Sequence, residues 1–176
     1  MPGYEILQHM SRTFRKAVEA DLPAVVEILN HGIKTRHSVG YFVRQAESEQ
    51  KEWFEEHVLS ERYPIIVSEE EGKITGWISI SPYRKGREAF NHTGEVSAYI
   101  HEDHRREGLG QRLLNEMLQF ASAKGFKIIF AIVLDKNDPS IKLLEKNNFE
   151  RWAFLPDVAE IDGILLNHIY FGKRLS

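Results

Sequence analysis

Glu95-Val96-Ser97-Ala98-Tyr99-Ile100 and, after four intervening residues, Arg105-Arg106-Glu107-Gly108-Leu109-Gly110-Gln111 decide how this chain reads. Thr93 to His101 has the composition of a strand. Gly108 to Lys124 reads as an amphipathic helix, with Leu109, Leu113, Leu114, Met117, Leu118 and Ala121 on one face and Gly125 ending it. The turn between them carries a Gly-x-Gly. Glycines there let the backbone turn sharply and approach a ligand without a Cβ in the way. The helix adds unpaired N–H groups and the positive end of its dipole. Together they can seat a pyrophosphate, with Arg105 and Arg106 adding charge. On a lone Gly-x-Gly, a plain surface turn is the stronger reading. A dinucleotide fingerprint is excluded by the missing third glycine, and a P-loop by the missing Gly-Lys-Ser/Thr.

Working outward, Thr13 to Ala17 reads as a first strand. Asp21 is a candidate N-cap for a helix carrying Leu22, Val25, Val26, Ile28 and Leu29. Lys34 to Arg44 is a polar loop, and Glu47 to Leu59 a second helix with Trp53, Phe54, His57 and Val58 on its apolar side. Pro64 to Ser68 and Ile74 to Ser81 form a hairpin about Glu70-Glu71-Gly72-Lys73. Tyr83 to His92 is a polar loop. The almost unbroken apolar run Lys127 to Leu134 predicts a strand buried on both faces. Pro139 to Asn147 is a short helix, and Glu150 to Phe154 and Ile164 to Gly172 are the last strands. The fold class is α/β: a mixed, mostly antiparallel sheet with helices on both faces. Residues 1–12 read as an N-terminal extension and 13–176 as one domain.

Composition narrows the function. The 176 residues are 42% apolar and 28% charged, with a formal net charge of -3. That charge argues against an electrostatic nucleic-acid binder. With no cysteine there is no disulfide, thiolate metal site or Cys nucleophile, which suits a cytoplasmic location. No apolar run reaches the ~18 residues of a membrane span, and Met1 to Ser11 lacks the pattern of a signal peptide.

The turn and its surroundings resemble the GNAT acetyltransferase superfamily, whose [Gln/Arg]-x-x-Gly-x-[Gly/Ala] motif matches Arg105-x-x-Gly108-x-Gly110. The resemblance runs over about residues 13–175. Within the superfamily the chain is similar to the phosphinothricin / methionine sulfoximine acetyltransferases. The stretches that carry this are Glu95 to Ile100, Asn137-Asp138-Pro139-Ser140, Lys142-Leu143-Leu144-Glu145-Lys146-Asn147-Asn148-Phe149, Ala20-Asp21-Leu22-Pro23 and Ile28-Leu29-Asn30. The resemblance implies a GNAT fold with splayed middle strands and acetyl-CoA as acyl donor. It implies that the CoA diphosphate lies on the backbone at Arg105, Arg106, Glu107, Gly108, Leu109, Gly110 and Gln111. The pantetheine arm would run beside Ala98, Tyr99 and Ile100, with Asn137 and Lys146 as further contacts. A homodimer follows by analogy.

The expected reaction is transfer of an acetyl group to the α-amine of a small amino acid or analogue. A protein N-terminus, a polyamine, or a non-catalytic CoA-binding module are the rival readings. Acyl transfer needs a neutral amine, and an α-amine titrates near ~8, so a general base must take a proton. Glu95 opens the strand leading into the turn and matches the family's glutamate. Direct transfer suits a chain without Cys. The resembling group binds its substrate's carboxyl region in the loop that here holds Lys85, Gly86 and Arg87, with Val96 and Ser97 flanking the amine; Tyr83, Phe90 and Trp77 could shape the pocket. Where many family members place a Tyr acid, and the phosphinothricin enzymes a His, this chain has Leu144, which donates no proton. His92 and His168 are further site candidates or simply structural, and no metal-ligand spacing is present.

Overall fold

Leu109, Leu113, Leu114, Met117 and Ala121 recur at helical spacing and are all buried on one helix, Leu109–Ala123. The structure, a computed structural model, describes residues 12–36 and 40–175. The elements run β1 (Thr13–Lys16), α1 (Leu22–Lys34), α2 (Glu47–Leu59), β2 (Ile65–Glu70), β3 (Lys73–Pro82), β4 (Thr93–Ile100), α3 (Leu109–Ala123), β5 (Ile128–Leu134), α4 (Asp138–Lys146), β6 (Glu150–Ile161) and β7 (Ile164–Arg174). The strands make one seven-stranded sheet in the order β1-β2-β3-β4-β5-β7-β6. Every neighbouring pair is antiparallel except β4 and β5. The parallel pair needs a crossover, and α3 supplies it.

Side-chain alternation sorts the strands between two cores. Ile65, Val67 and Trp77 pack with Val25, Ile28, Leu29, Ile33 and Phe54 beneath α1 and α2. Ile66, Ile78, Ile80 and Val96 point the other way and pack with α3, Ile141 and Leu144 of α4, Ile129 and Phe171. Glu95, Ser97 and Tyr99 therefore face the α1–α2 side. There the Tyr99 ring lies 4.8 Å from that of Trp77. The Trp77 indole N–H donates to the Val25 carbonyl at 3.0 Å, fastening α1 to the sheet.

Several expectations need correction. β5 is not buried throughout: Ile129, Ala131 and Leu134 are covered, while Ile128, Phe130, Ile132 and Val133 are half-buried. Helices α1 and α2 do not extend over this part of the sheet; Phe130 is flanked instead by the rings of Tyr83, Trp152 and Tyr170. Asp21 occupies the N-cap position of α1 but makes no side-chain cap there. Its carboxylate accepts from the Val18 N–H and from Arg15 instead, which holds it below the usual carboxylate range against its burial. β6 runs on to Ile161, past the expected end at Phe154, because β7 pairs with it along the whole hairpin. Leu118 is only half-buried. The expected extension, residues 1–12, lies outside the described residues except for Arg12. That residue bonds Glu70 of the β2–β3 hairpin and Glu107 beyond β4.

If α3 is seated as described, Leu113→Ala opens a cavity under it. Urea unfolding should then record a loss of about 2–5 kcal/mol. A loss below about 1 kcal/mol would mean that the site is a surface position and not core.

Candidate active site

β4 and β5 pair only where Thr93, Gly94 and Glu95 face Ile128, Ile129 and Phe130. Beyond Glu95, β4 remains bonded to β3 and β5 to β7, but not to each other. The β5-facing edge of residues 96–100 is thus an unpaired strand edge inside the sheet. An extended, amide-bearing chain could complete it, because such an edge offers N–H and C=O groups to any added strand.

At the far end of β4 the chain turns through two left-handed residues, Arg106 (φ 68°) and Gly108 (φ 75°), and enters α3. Gly108 is the N-cap and makes no side-chain cap, so the first-turn N–H groups remain available to an anion. A Cβ on Gly108 would meet nothing within 4 Å: the space before the turn is open. Gly110 has a packing task as well. A Cβ there would stand 3.3 Å from Leu143, so its smallness serves α3–α4 packing. The surrounding side chains brace the turn. Arg105 donates to the His31 carbonyl at 3.3 Å. Glu107, the one acid in the turn, accepts from Arg12 at 2.9 Å and lies 3.4 Å from His104, and Arg12 above all keeps it below the usual carboxylate range. Gln111 exchanges amide hydrogen bonds with Asn147. Arg106 is exposed, with no side-chain partner among the described residues. Asn137 caps α4 through its carbonyl oxygen, which accepts from the Ser140 N–H at 3.3 Å; its amide N–H₂ is left as a donor. Lys146 is exposed at the end of α4.

Glu95 sits where β4 and β5 part. It is half-buried, and no described side chain or backbone group hydrogen-bonds its carboxylate. Burial alone raises its pKa. An unpaired, half-buried carboxylate is a proton acceptor held ready. Ser97 shares its face, whereas Val96 is buried against α3 and can reach the site only through its backbone. The loop of residues 83–92 closes the neighbouring side. Tyr83 stacks on Phe130 at 4.8 Å, with Phe90 5.9 Å from Tyr83. Lys85 is ion-paired with Glu56 of α2 at 2.7 Å, while Arg87 is exposed without a side-chain partner among the described residues. Gly86 forms the turn between them at φ 78°. Leu144 lies in the core and offers no proton. His92 is exposed at the start of β4, and His168 sits in β7 opposite Leu134 and Leu155.

The chain's residues 29–149 match the Acetyltransferase (GNAT) family, and the protein belongs to that family. It is an N-acetyltransferase that takes its acyl group from acetyl-CoA. It is 38% identical over 165 residues to YwnH of Bacillus subtilis, provisionally named a phosphinothricin acetyltransferase, covering 93% of this chain and 99% of that one. It is 33% identical to the L-methionine sulfoximine/L-methionine sulfone acetyltransferase of Salmonella typhimurium, over 93% of this chain and 95% of the relative. The crystal structure of a phosphinothricin acetyltransferase from Sinorhizobium meliloti, in complex with acetyl-CoA, superposes with a TM-score of 0.87. It is 26% identical and matches 95% of this chain and 90% of that one. The unpaired β4 edge, the uncapped α3 start and the open space at Gly108 fit such a cofactor: one matches an amide-bearing arm, the others a phosphate group.

Sequence reasoning missed the polar groups on the α1–α2 side. His57 is buried, its Nδ1 2.7 Å from the Trp53 carbonyl and its Nε2 2.9 Å from the Ser81 hydroxyl. It read as part of an apolar stripe; only its being the one titratable residue there could have marked it. His31, His101 and His104, stacked edge-to-face along the approach to the turn, gave no local signal at all, because they come together from α1 and from beyond β4.

Two measurements follow from this geometry. Gly108→Ala forces a side chain into a left-handed residue, costing about 1 kcal/mol of stability. It also places a methyl in the open space, so calorimetry should give an acetyl-CoA Kd weaker by about tenfold; an unchanged Kd would locate the phosphate seat elsewhere. The second concerns Glu95. Its pKa is raised by folding, so the native state holds a proton that the unfolded chain has released. Unfolding free energy therefore falls as pH rises from the unfolded value of about 4.3 through the folded one. Glu95→Gln should remove that loss and leave the protein at least as stable at neutral pH in chemical denaturation.

Proposed function

We propose that the acceptor is the α-amine of a small amino acid or analogue, of the phosphinothricin and methionine sulfoximine kind, and that Glu95 is the general base for direct transfer. The observation that carries this is the carboxylate itself: half-buried, without a hydrogen bond among the described residues, and standing where β4 and β5 part. Acetyl-CoA supplies the acetyl group as a thioester. The backbone of residues 105–111 holds its diphosphate, and the β4 edge at Ala98, Tyr99 and Ile100 holds its arm, with the Asn137 amide and Lys146 alongside. Glu95 takes a proton from the bound ammonium and leaves the nitrogen lone pair free to attack the thioester carbonyl. The C–N bond forms as the C–S bond breaks, and the CoA thiolate leaves, taking up through water the second proton that the nitrogen releases, since Leu144 offers none. Val96, through its backbone, and Ser97 flank the amine.

The basic loop supports an acceptor that carries a carboxylate. Lys85 is already neutralised by Glu56, which leaves the Arg87 fork free for a two-pronged contact. The names of the relatives, which include a methionine sulfoximine/methionine sulfone acetyltransferase, point the same way. An acidic pocket would have suited a polyamine; the loop's Arg84, Lys85 and Arg87 are its opposite. Domain limits near residue 13, a cytoplasmic location and a homodimer belong to the same reading. The exposed Phe154, Val158, Ile164 and Leu165 of the β6–β7 hairpin support pairing of two copies.

The test is a thiol-release screen with acetyl-CoA against free amino acids, methionine sulfoximine, phosphinothricin, spermidine and an N-terminal peptide. Turnover should concentrate on the free amino acids and their analogues. Arg87→Ala should raise KM for the preferred amino acid by about 10–100-fold, and Glu95→Gln should lower kcat by about 10²–10⁴-fold while acetyl-CoA still binds. Preference for spermidine or the peptide would overturn the substrate class; full activity in the Glu95 variant would overturn the base.

A further inference from the structure

Behind Glu95 lies an arrangement that neither the fold nor the reaction requires. In the β3–β4 ladder, Ser81 is directly opposite Glu95. Side chains opposite one another in an antiparallel pair project to the same face with Cβ atoms about 4.5–5.5 Å apart. Ser81 is therefore the nearest hydroxyl that β3 could offer the carboxylate, yet no hydrogen bond joins them. Its Oγ is engaged instead by His57 Nε2 at 2.9 Å.

The direction of that bond follows from the other side of the ring. Nδ1 lies 2.7 Å from the Trp53 carbonyl, which can only accept, so Nδ1 carries the proton. In a neutral imidazole Nε2 is then bare: it accepts the Ser81 proton at 2.9 Å, and the Ile80 carbonyl, which also bears on the ring but more weakly, finds no second proton there. Burial lowers the His57 pKa and keeps the ring neutral. Its charged neighbours are Glu56 on its own helix and Lys85 on the facing loop, and these are paired with each other at 2.7 Å. The carboxylate of Glu95 has the Tyr99 phenol on its own strand, and Tyr41 in turn faces Tyr99 from the α1–α2 segment.

We propose that His57 is a positioning residue for catalysis: by claiming the only proton of Ser81, it prevents that hydroxyl from donating to Glu95 and leaves it there as an acceptor. The inference rests on the reading of Glu95 as general base. A hydroxyl donating to the carboxylate would stabilise its ionised form and weaken the base. A hydroxyl presenting lone pairs does the reverse: once Glu95 has taken the amine's proton, the new carboxyl O–H can donate to Ser81 Oγ, while the Ser81 proton stays on its bond to His57. No atom is left over, because the amine's N–H bond breaks and the Glu95 O–H bond forms.

The test is the Glu95 pKa in the ligand-free protein, from a carbon NMR titration in which the carboxyl signal is assigned by its absence in Glu95→Gln, alongside the acid limb of kcat/KM. His57→Leu releases the Ser81 proton, so both should fall by about one pH unit, with kcat about threefold lower. Adding Ser81→Ala to His57→Leu should bring the pKa back, which simple loosening of the core would not do. Ser81→Ala alone should not raise it. That single variant decides the matter even if His57→Leu fails to fold, since a rise means that Ser81 donates to Glu95 in the native protein. An unmoved pKa in folded His57→Leu also overturns the inference. The two readings separate cleanly: if Glu95→Gln keeps its activity and its acid limb, the base assignment fails. If the limb vanishes there but does not respond to His57→Leu, only the role of His57 fails.

Discussion

The constraint on which the rest depends is that β4 and β5 stop pairing at Glu95. A parallel pair in mid-sheet would ordinarily bond along its whole length, since buried backbone groups left unpaired are costly. Here the pairing covers three residues on each strand and then opens. Each strand stays anchored on its outer side, β4 to β3 as far as Ile100 and β5 to β7 as far as Leu134. The opening therefore leaves a rigid slot with strand edges for walls. Because β4 runs straight from the parting point to the turn before α3, one strand joins Glu95 to the uncapped start of that helix.

The same opening explains the electrostatics of Glu95. Its neighbours across the sheet are a serine whose proton is committed elsewhere and a phenylalanine, Phe130. Neither donates to the carboxylate. Burial then raises its pKa. A carboxylate in the same place with an arginine beside it would be a stable ion pair and a poor base, as Asp21 illustrates beside Arg15. The difference between the paired and the unpaired acid in this chain is the company each keeps.

The sequence made the helices, the order of elements along the chain and the Gly-x-Gly turn legible because those signals are local. Helical spacing in α3, the Gly-x-Gly turn and the apolar run of β5 each lie within about 15 residues of chain. Glu95 stands out as a candidate only through the resemblance, since a single carboxylate at a strand start carries no periodicity. What escaped was what depends on tertiary neighbours. The half-open face of β5 depends on how far α1 and α2 reach across the sheet. The role of Gly110 depends on Leu143 of α4, and that of Asp21 on Arg15 of β1. His57 is the plainest case: its spacing on α2 marks it as core, and it is core, but its ring nitrogens act through a strand 24 residues away.

The charged groups around the slot divide by the same logic. Glu107 is neutralised by Arg12, Lys85 by Glu56, and Arg105 is spent on the His31 carbonyl. These contacts brace the two ends of the slot, and a group already satisfied has little to gain from a ligand. Arg106 and Arg87 are exposed and, among the described residues, without a side-chain partner, one at the turn before α3 and one on the loop beside β4. A ligand anionic at both termini, phosphate at one end and carboxylate at the other, would meet a free guanidinium at each, with Glu95 between them. Acetyl-CoA and an amino acid, meeting at the amine, make up such a pair.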